Sequence, residues 1–95
     1  MSPSFKLRSD VRYRVIDDEA VVVRQGEGDV VVLNQVAARV LELVGEGLAS
    51  NEIGNQVASE YEAPEATIRA DVDSFLGELE ELNVIERIQA VSDAP

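Results

Sequence analysis

The sequence predicts an α+β domain, a three-stranded antiparallel sheet followed by three helices. Two observations carry that prediction. Between residues 11 and 33 the runs "VRYRVI", "AVVVR" and "VVVL" are rich in β-branched residues and are separated by the short polar breaks "DDE" and "QGEGD". From residue 35 onward the apolar residues recur at steps of three and four, the period of an amphipathic helix.

The first strand, 11–16, alternates Val11, Tyr13 and Val15 with Arg12, Arg14 and Ile16. The second covers 20–24, and Gly26 and Gly28 mark the hairpin loop that leads to the third, 30–33. Loops this short favour a meander. Asn34 then stands where an N-cap belongs, its side chain free to accept an orphan backbone N–H. Val36, Val40, Leu43 and Val44 form the buried face of a helix over 35–45, which Gly45 and Gly47 end.

A second helix spans roughly 50–61, with Ser50 as its expected N-cap and Ile53, Val57 and Tyr61 at steps of four. The third, over 64–83, opens with Pro64 and Glu65, residues suited to the positive end of a helix. Ile68, Val72, Phe75, Leu76, Leu79 and Leu82 make its apolar stripe. Gly77 within it costs about 1 kcal/mol relative to alanine, which suggests a close backbone approach there. Asn83 closes the helix and "VIERI" adds a short last strand. Two short helices leading into a longer one give the helical part a winged-helix-like character.

The 95 residues form one domain, 1–95, with 1–10 and 89–95 expected to be frayed tails. There is no cysteine and no histidine, so disulfides, thiolate metal sites and the commonest general base are all missing. No apolar run approaches the ~20 residues of a membrane span, and no secretion signal opens the chain, so a cytoplasmic protein without membrane contact is expected. The net charge is −11 and uneven: residues 1–24 hold five basic and four acidic groups, the remainder three basic and fifteen acidic.

That pattern argues against several function classes. The carboxylates Asp71, Asp73, Glu78, Glu80 and Glu81 fall on the outward faces of a helix rather than in a cleft, so acid–base catalysis is not expected. No Ca-loop spacing occurs, and the glycines of "QGEGD" lie between strands with no Lys-Ser/Thr after them. Neither a metal nor a cofactor is implied. A recognition helix at 64–83 would carry Arg69 against six acidic residues, so nucleic acid is not an expected partner, and a winged-helix DNA-binding regulator is the rival rather than the leading reading.

The third strand poses the sharper question. Val30 and Val32 point one way and Val31 and Leu33 the other, so both faces are apolar. If it is an edge, no lysine, proline or inward charge guards it. Either the protein's own helices and the segment "PSFKL" cover it, or a foreign segment adds to it as a strand. Self-pairing into a homodimer is a further outcome of the same free edge.

The order Leu33-Asn34, Ala37, Leu41 to Leu43, Glu52-Ile53, Tyr61, Asp71-Val72, Phe75-Leu76 and Leu79 resembles the PqqD-like family over residues 13–86. These are small domains that recognise precursor peptides in ribosomal peptide-modification pathways, pyrroloquinoline quinone biosynthesis among them. The resemblance implies a non-catalytic, peptide-binding chaperone. It would bind a precursor leader as a strand beside Val30, Val31, Val32 and Leu33, in a groove made with the last helix near Arg69, Val72, Asp73 and Leu76. Arg69 would pair with a leader carboxylate. The implied second partner is a modifying enzyme, a radical S-adenosylmethionine enzyme or a cyclase or protease of the pathway. The chain departs from the family pattern at Ala49, where threonine commonly caps the second helix, and at Asn83, where glycine is usual.

Overall fold

The computed structural model describes residues 3–88. Eight elements follow in chain order: β1 (Phe5–Leu7), β2 (Val11–Ile16), β3 (Glu19–Arg24), β4 (Asp29–Leu33), α1 (Gln35–Gly45), α2 (Ser50–Glu60), α3 (Glu65–Glu81) and β5 (Ile85–Arg87). The expected α+β arrangement is present, with the meander β2-β3-β4 as an antiparallel sheet. The two turns of that meander are set by local chemistry. Asp17 and Asp18 both take positive φ, 50° and 69°, as a two-residue hairpin of matching twist requires. Gly28, at φ 72°, donates from its N–H to the Arg24 carbonyl at 2.8 Å to close the other.

Helix α1 is the hub. It packs against β3 and β4 on one side and against α2 and α3 on the other. Ala20 and Val22 of the sheet, Val40 and Leu41 of α1, and Ile53 and Val57 of α2 are all fully buried. From α3, Ile68, Val72, Leu76 and Leu79 complete the core, which buries no polar or charged residue among those described. Asn34 caps α1 as the sequence suggests, its Oδ1 accepting from the Ala37 N–H at 2.9 Å. Asn83 ends α3 in the left-handed region at φ 60°, and the Val84 N–H reaches back to the Leu79 carbonyl at 2.9 Å.

Three expectations need revision. Residues 5–7, assigned to a frayed N-terminal tail, instead pair antiparallel with β5, Phe5 opposite Arg87 and Leu7 opposite Ile85. Phe5 is 3% exposed, and the Arg87 guanidinium sits 5.2 Å from its ring centroid. Burial of that one aromatic side chain is reason enough for the segment to order. The companion expectation for 89–95 lies outside the described residues. Secondly, α2 is capped at Ala49, not Ser50. Ala49 has no side-chain acceptor, but the Ser50 N–H donates to the Pro3 carbonyl at 2.9 Å and the Ala49 N–H to Glu52 Oε1 at 2.8 Å. The N-terminal segment thus takes over part of the work of a missing cap. Thirdly, Gly77 is not at a close approach: a Cβ there would have open space around it.

Candidate functional site

Strand β4 pairs on one side only. Its register against β3 runs Val23 with Val30, Val22 with Val31, Val21 with Val32 and Ala20 with Leu33. Its other side faces no strand among the described residues. Which of its backbone groups are free follows from the alternation of an antiparallel ladder. The Arg24 carbonyl accepts from Gly28 across the hairpin, so Arg24 aims its polar groups toward β4, whereas the Gln25 N–H donates to Asp10 on the β2 side. Every second residue of β3 therefore bonds to β4, and Val31 and Leu33 are the residues that answer. Val30 and Val32 turn their N–H and C=O groups outward. A row of two donors and two acceptors lies open along the sheet edge.

The side chains divide the other way. Leu33 is buried and Val31 half-buried against the helices, whereas Val30 and Val32 are 57% and 61% exposed on the sheet's outer face. Beside the edge lies a groove of about 140 Å³ lined by Val32, Leu33, Asn34, Ala37, Phe75, Glu78, Leu79 and Leu82. One wall is β4 with the start of α1, and the other is the C-terminal half of α3. Near its Leu82 end Arg24 ties the two walls together. Its guanidinium donates to the Leu82 carbonyl and, through Nε, to Asp29 Oδ1 at 2.7 Å. That hydrogen bond holds the Asp29 carboxyl below its usual range and raises Arg24 above its own.

The opposite edge of the sheet is guarded. Strand β2 carries Arg12 and Arg14, long charged side chains of the kind that discourage strand pairing. Arg12 also donates to the carbonyls of Ser9 and Val11 at 3.2 and 3.0 Å. A shallow groove also lies on the outer face beside β2, lined by Tyr13, Ile16, Val21 and Val23, but Arg12 and Arg14 border it; the β4 edge has no such basic side chains along its groove.

The eight residues singled out in the sequence do not all meet there. Val30, Val31, Val32 and Leu33 form the edge strand itself. Val72 and Leu76 are 1% and 3% exposed, in the core beneath α3. Arg69 and Asp73 belong to a separate cleft between α2 and α3, lined with Ser50, Asn51 and Gly54. There Arg69 donates to Glu65 Oε2 at 2.9 Å and to Asn55 Oδ1. The side chains that do reach the groove are Phe75, Glu78, Leu79 and Leu82, spaced at three, four and seven residues along one face of α3. That spacing was visible in the sequence. The rotation of the helix about its axis was not.

A second, larger cleft of about 360 Å³ lies between the β2–β3 turn and the helices, lined by Val15, Asp18, Arg39, Glu42, Glu60 and Tyr61 among others. Three of its charges are tied together: Arg39 donates to Glu60 at 2.8–3.1 Å and to Glu42 at 3.2 Å. The Arg39 and Gln56 hydrogen bonds pull the Glu60 carboxyl below its usual value. This network fastens α1 to α2 and leaves the cleft's one basic side chain already engaged.

The family model for coenzyme PQQ synthesis protein D (PqqD) matches residues 19–85. Among solved structures, the chain is similar to TbiB1 in complex with the TbiA(beta) leader peptide, with 27% identity and a TM-score of 0.78 over 93% of this chain and 99% of that one. Lasso peptide synthetase B1 complexed with the leader peptide shares the fold, with 22% identity and a TM-score of 0.77 over 86% of this chain and 96% of that one. A search among curated proteins gives no match.

Proposed function

The chain belongs to the PqqD family, and from that membership we propose that it captures the leader of a ribosomally made precursor peptide by strand addition at β4. The observation that carries this reading is the open edge at Val30 and Val32 beside the groove. A leader lying along it would exchange main-chain hydrogen bonds with those two residues. Alternate side chains would enter the space between β4 and the Phe75–Leu82 face of α3. Main-chain bonding gives affinity with little sequence preference, and the groove supplies the selectivity. A solved relative, TbiB1, is similar over almost its whole length and its structure is a complex with a leader peptide.

The role is binding and presentation rather than catalysis: the chain has neither histidine nor cysteine, and the groove holds a single ionisable side chain. Presentation requires a second partner, a modifying enzyme of the same pathway, whether a radical S-adenosylmethionine enzyme or a cyclase or protease. No described helix is long and apolar enough to cross a membrane, and we place the encounter in the cytoplasm, where a ribosomal product is released. Ordering a short peptide offsets much of the gain from contact, so micromolar to submicromolar dissociation constants are expected.

Backbone amide NMR tests this directly. Leader peptides from precursor genes beside the coding gene are titrated into labelled protein. The expected result is saturable shifts at Val30 and Val32 and along Phe75–Leu82. Binding that leaves those amides unmoved while shifting the Arg39–Glu60 cleft or β2 would overturn it.

A further inference from the structure

The groove proposed for the leader has a charge preference written into its wall. Six of the eight basic residues are already engaged by the chain's own carboxylates: Lys6, Arg8, Arg24, Arg39, Arg69 and Arg87 each lie within ion-pair distance of one. The other two, Arg12 and Arg14, stand on β2, with β3 between them and the β4 edge. Arg24, the cation nearest the groove, has its donors committed to Asp29 and the Leu82 carbonyl. A peptide entering the groove therefore meets no free positive charge among the described residues.

It does meet a free negative one. Seven of the eight lining residues are apolar or, in the case of Asn34, engaged as the α1 cap. Glu78 is the exception. It is exposed at the rim and takes part in no ion pair among the described residues. The neighbouring charges do not neutralise it: at this end of α3, Arg24 is spent on Asp29 and the Leu82 carbonyl, and Arg87 pairs with Glu80 at 3.3 Å.

We infer that the leader carries a lysine or arginine that crosses the last turn of α3 and pairs with Glu78, making Glu78 the residue that selects a basic leader against an acidic one. This rests on the leader-binding reading and gives it a substrate class. The apolar neighbours Phe75 and Leu82 would cover the aliphatic stem of such a side chain while its head reaches the carboxylate. Rim-exposed pairs are individually weak, so Glu78→Gln is expected to weaken binding of a basic leader about two- to fivefold, and Glu78→Lys by about tenfold or more at low salt.

Because the leader is unidentified, the probe is a displayed library of random 12-residue peptides, selected in parallel on the wild-type protein and on Glu78→Lys. Residue 78 is exposed and melting curves verify that the variant folds. Peptides from both selections are then checked by NMR for shifts at Val30 and Val32. The expected result is enrichment of Lys or Arg at one position among wild-type binders, replaced by Asp or Glu at that position on the variant. Peptides that shift Val30 and Val32 but show no charge preference, or the same one on both proteins, refute the role of Glu78 and leave strand addition standing. A selection yielding no peptide that shifts those amides refutes strand addition, and this inference with it.

Discussion

Replacing Val32 with proline separates strand addition from simple filling of the groove. Val32 lies on the open edge with its N–H directed away from β3, so the substitution removes a donor that the folded protein does not use internally. Proline is tolerated at such a position, where the missing N–H faced solvent, and it keeps the apolar bulk of valine beside the groove. One main-chain hydrogen bond contributes about 0.5–1.5 kcal/mol net. The ring also occupies the approach of the partner carbonyl, so the total loss on binding should reach about 1–3 kcal/mol, or roughly 5-fold to 150-fold in dissociation constant.

Calorimetric titration with a leader peptide, set beside urea denaturation of the same variant, gives both numbers. Val32→Pro should bind far more weakly while losing less than about 1 kcal/mol of stability. Val31→Pro is the informative control. Its N–H belongs to the β3 ladder, so the substitution removes a bond that the fold uses and should cost distinctly more stability than Val32→Pro. Undiminished leader binding by a folded Val32→Pro protein would refute strand addition at β4.

Three further outcomes are expected. Phe5→Ala should lower unfolding stability by about 3–5 kcal/mol in urea, since the ring is 3% exposed; a loss under 1 kcal/mol would mean that β1 merely rests on the core. Ala49→Thr should raise stability by about 0.5–1 kcal/mol, because Ala49 has the extended geometry of an N-cap, φ −77° and ψ 165°, without a side-chain acceptor. No gain would show that Pro3 and Glu52 already satisfy that helix start. Glu60 gives a pH dependence. Its carboxyl is held below the ordinary 4.5 in the folded state, so its contribution is fully present above that value and is lost as pH falls through the lower folded one. Urea curves between about pH 3 and 6 should therefore fall more steeply with acid for the wild type than for Glu60→Gln.

Most of the fold could be read from short-range patterns. The strands expected at 11–16, 20–24 and 30–33 are observed at Val11–Ile16, Glu19–Arg24 and Asp29–Leu33, and Asn34 and Asn83 act as the end signals their chemistry suggests. What escaped was set by partners distant in sequence. A three-residue run such as Phe5–Leu7 has no periodicity to detect, and its strand partner lies near the other end of the chain. The start of α2 looked as if it needed Ser50 because the Pro3 carbonyl that helps secure it comes from elsewhere. The groove shows the same limit on a helix. The stripe Ile68, Val72, Phe75, Leu76, Leu79 and Leu82 is too wide for one neighbour. Packing divides it, sending Ile68, Val72 and Leu76 inward and turning Phe75 and Leu82 toward β4. Arg69 lies beyond that divide, against Gly54 of α2.

The same division bears on the rival reading as a DNA-binding winged helix. A recognition helix must present cations to phosphate, and each phosphate contact needs one. On α3 the one basic side chain, Arg69, is bonded to Glu65 and Asn55, while Asp71, Asp73, Glu78, Glu80 and Glu81 leave the helix strongly negative. The two cations without an ion pair among the described residues, Arg12 and Arg14, stand on β2, where α3 could not use them. The geometry that in a DNA-binding protein would seat a helix in a groove here leaves a helix as one wall of a groove. Its other wall is a strand whose backbone remains open, so an extended peptide of basic character fits where a polyanion would be repelled.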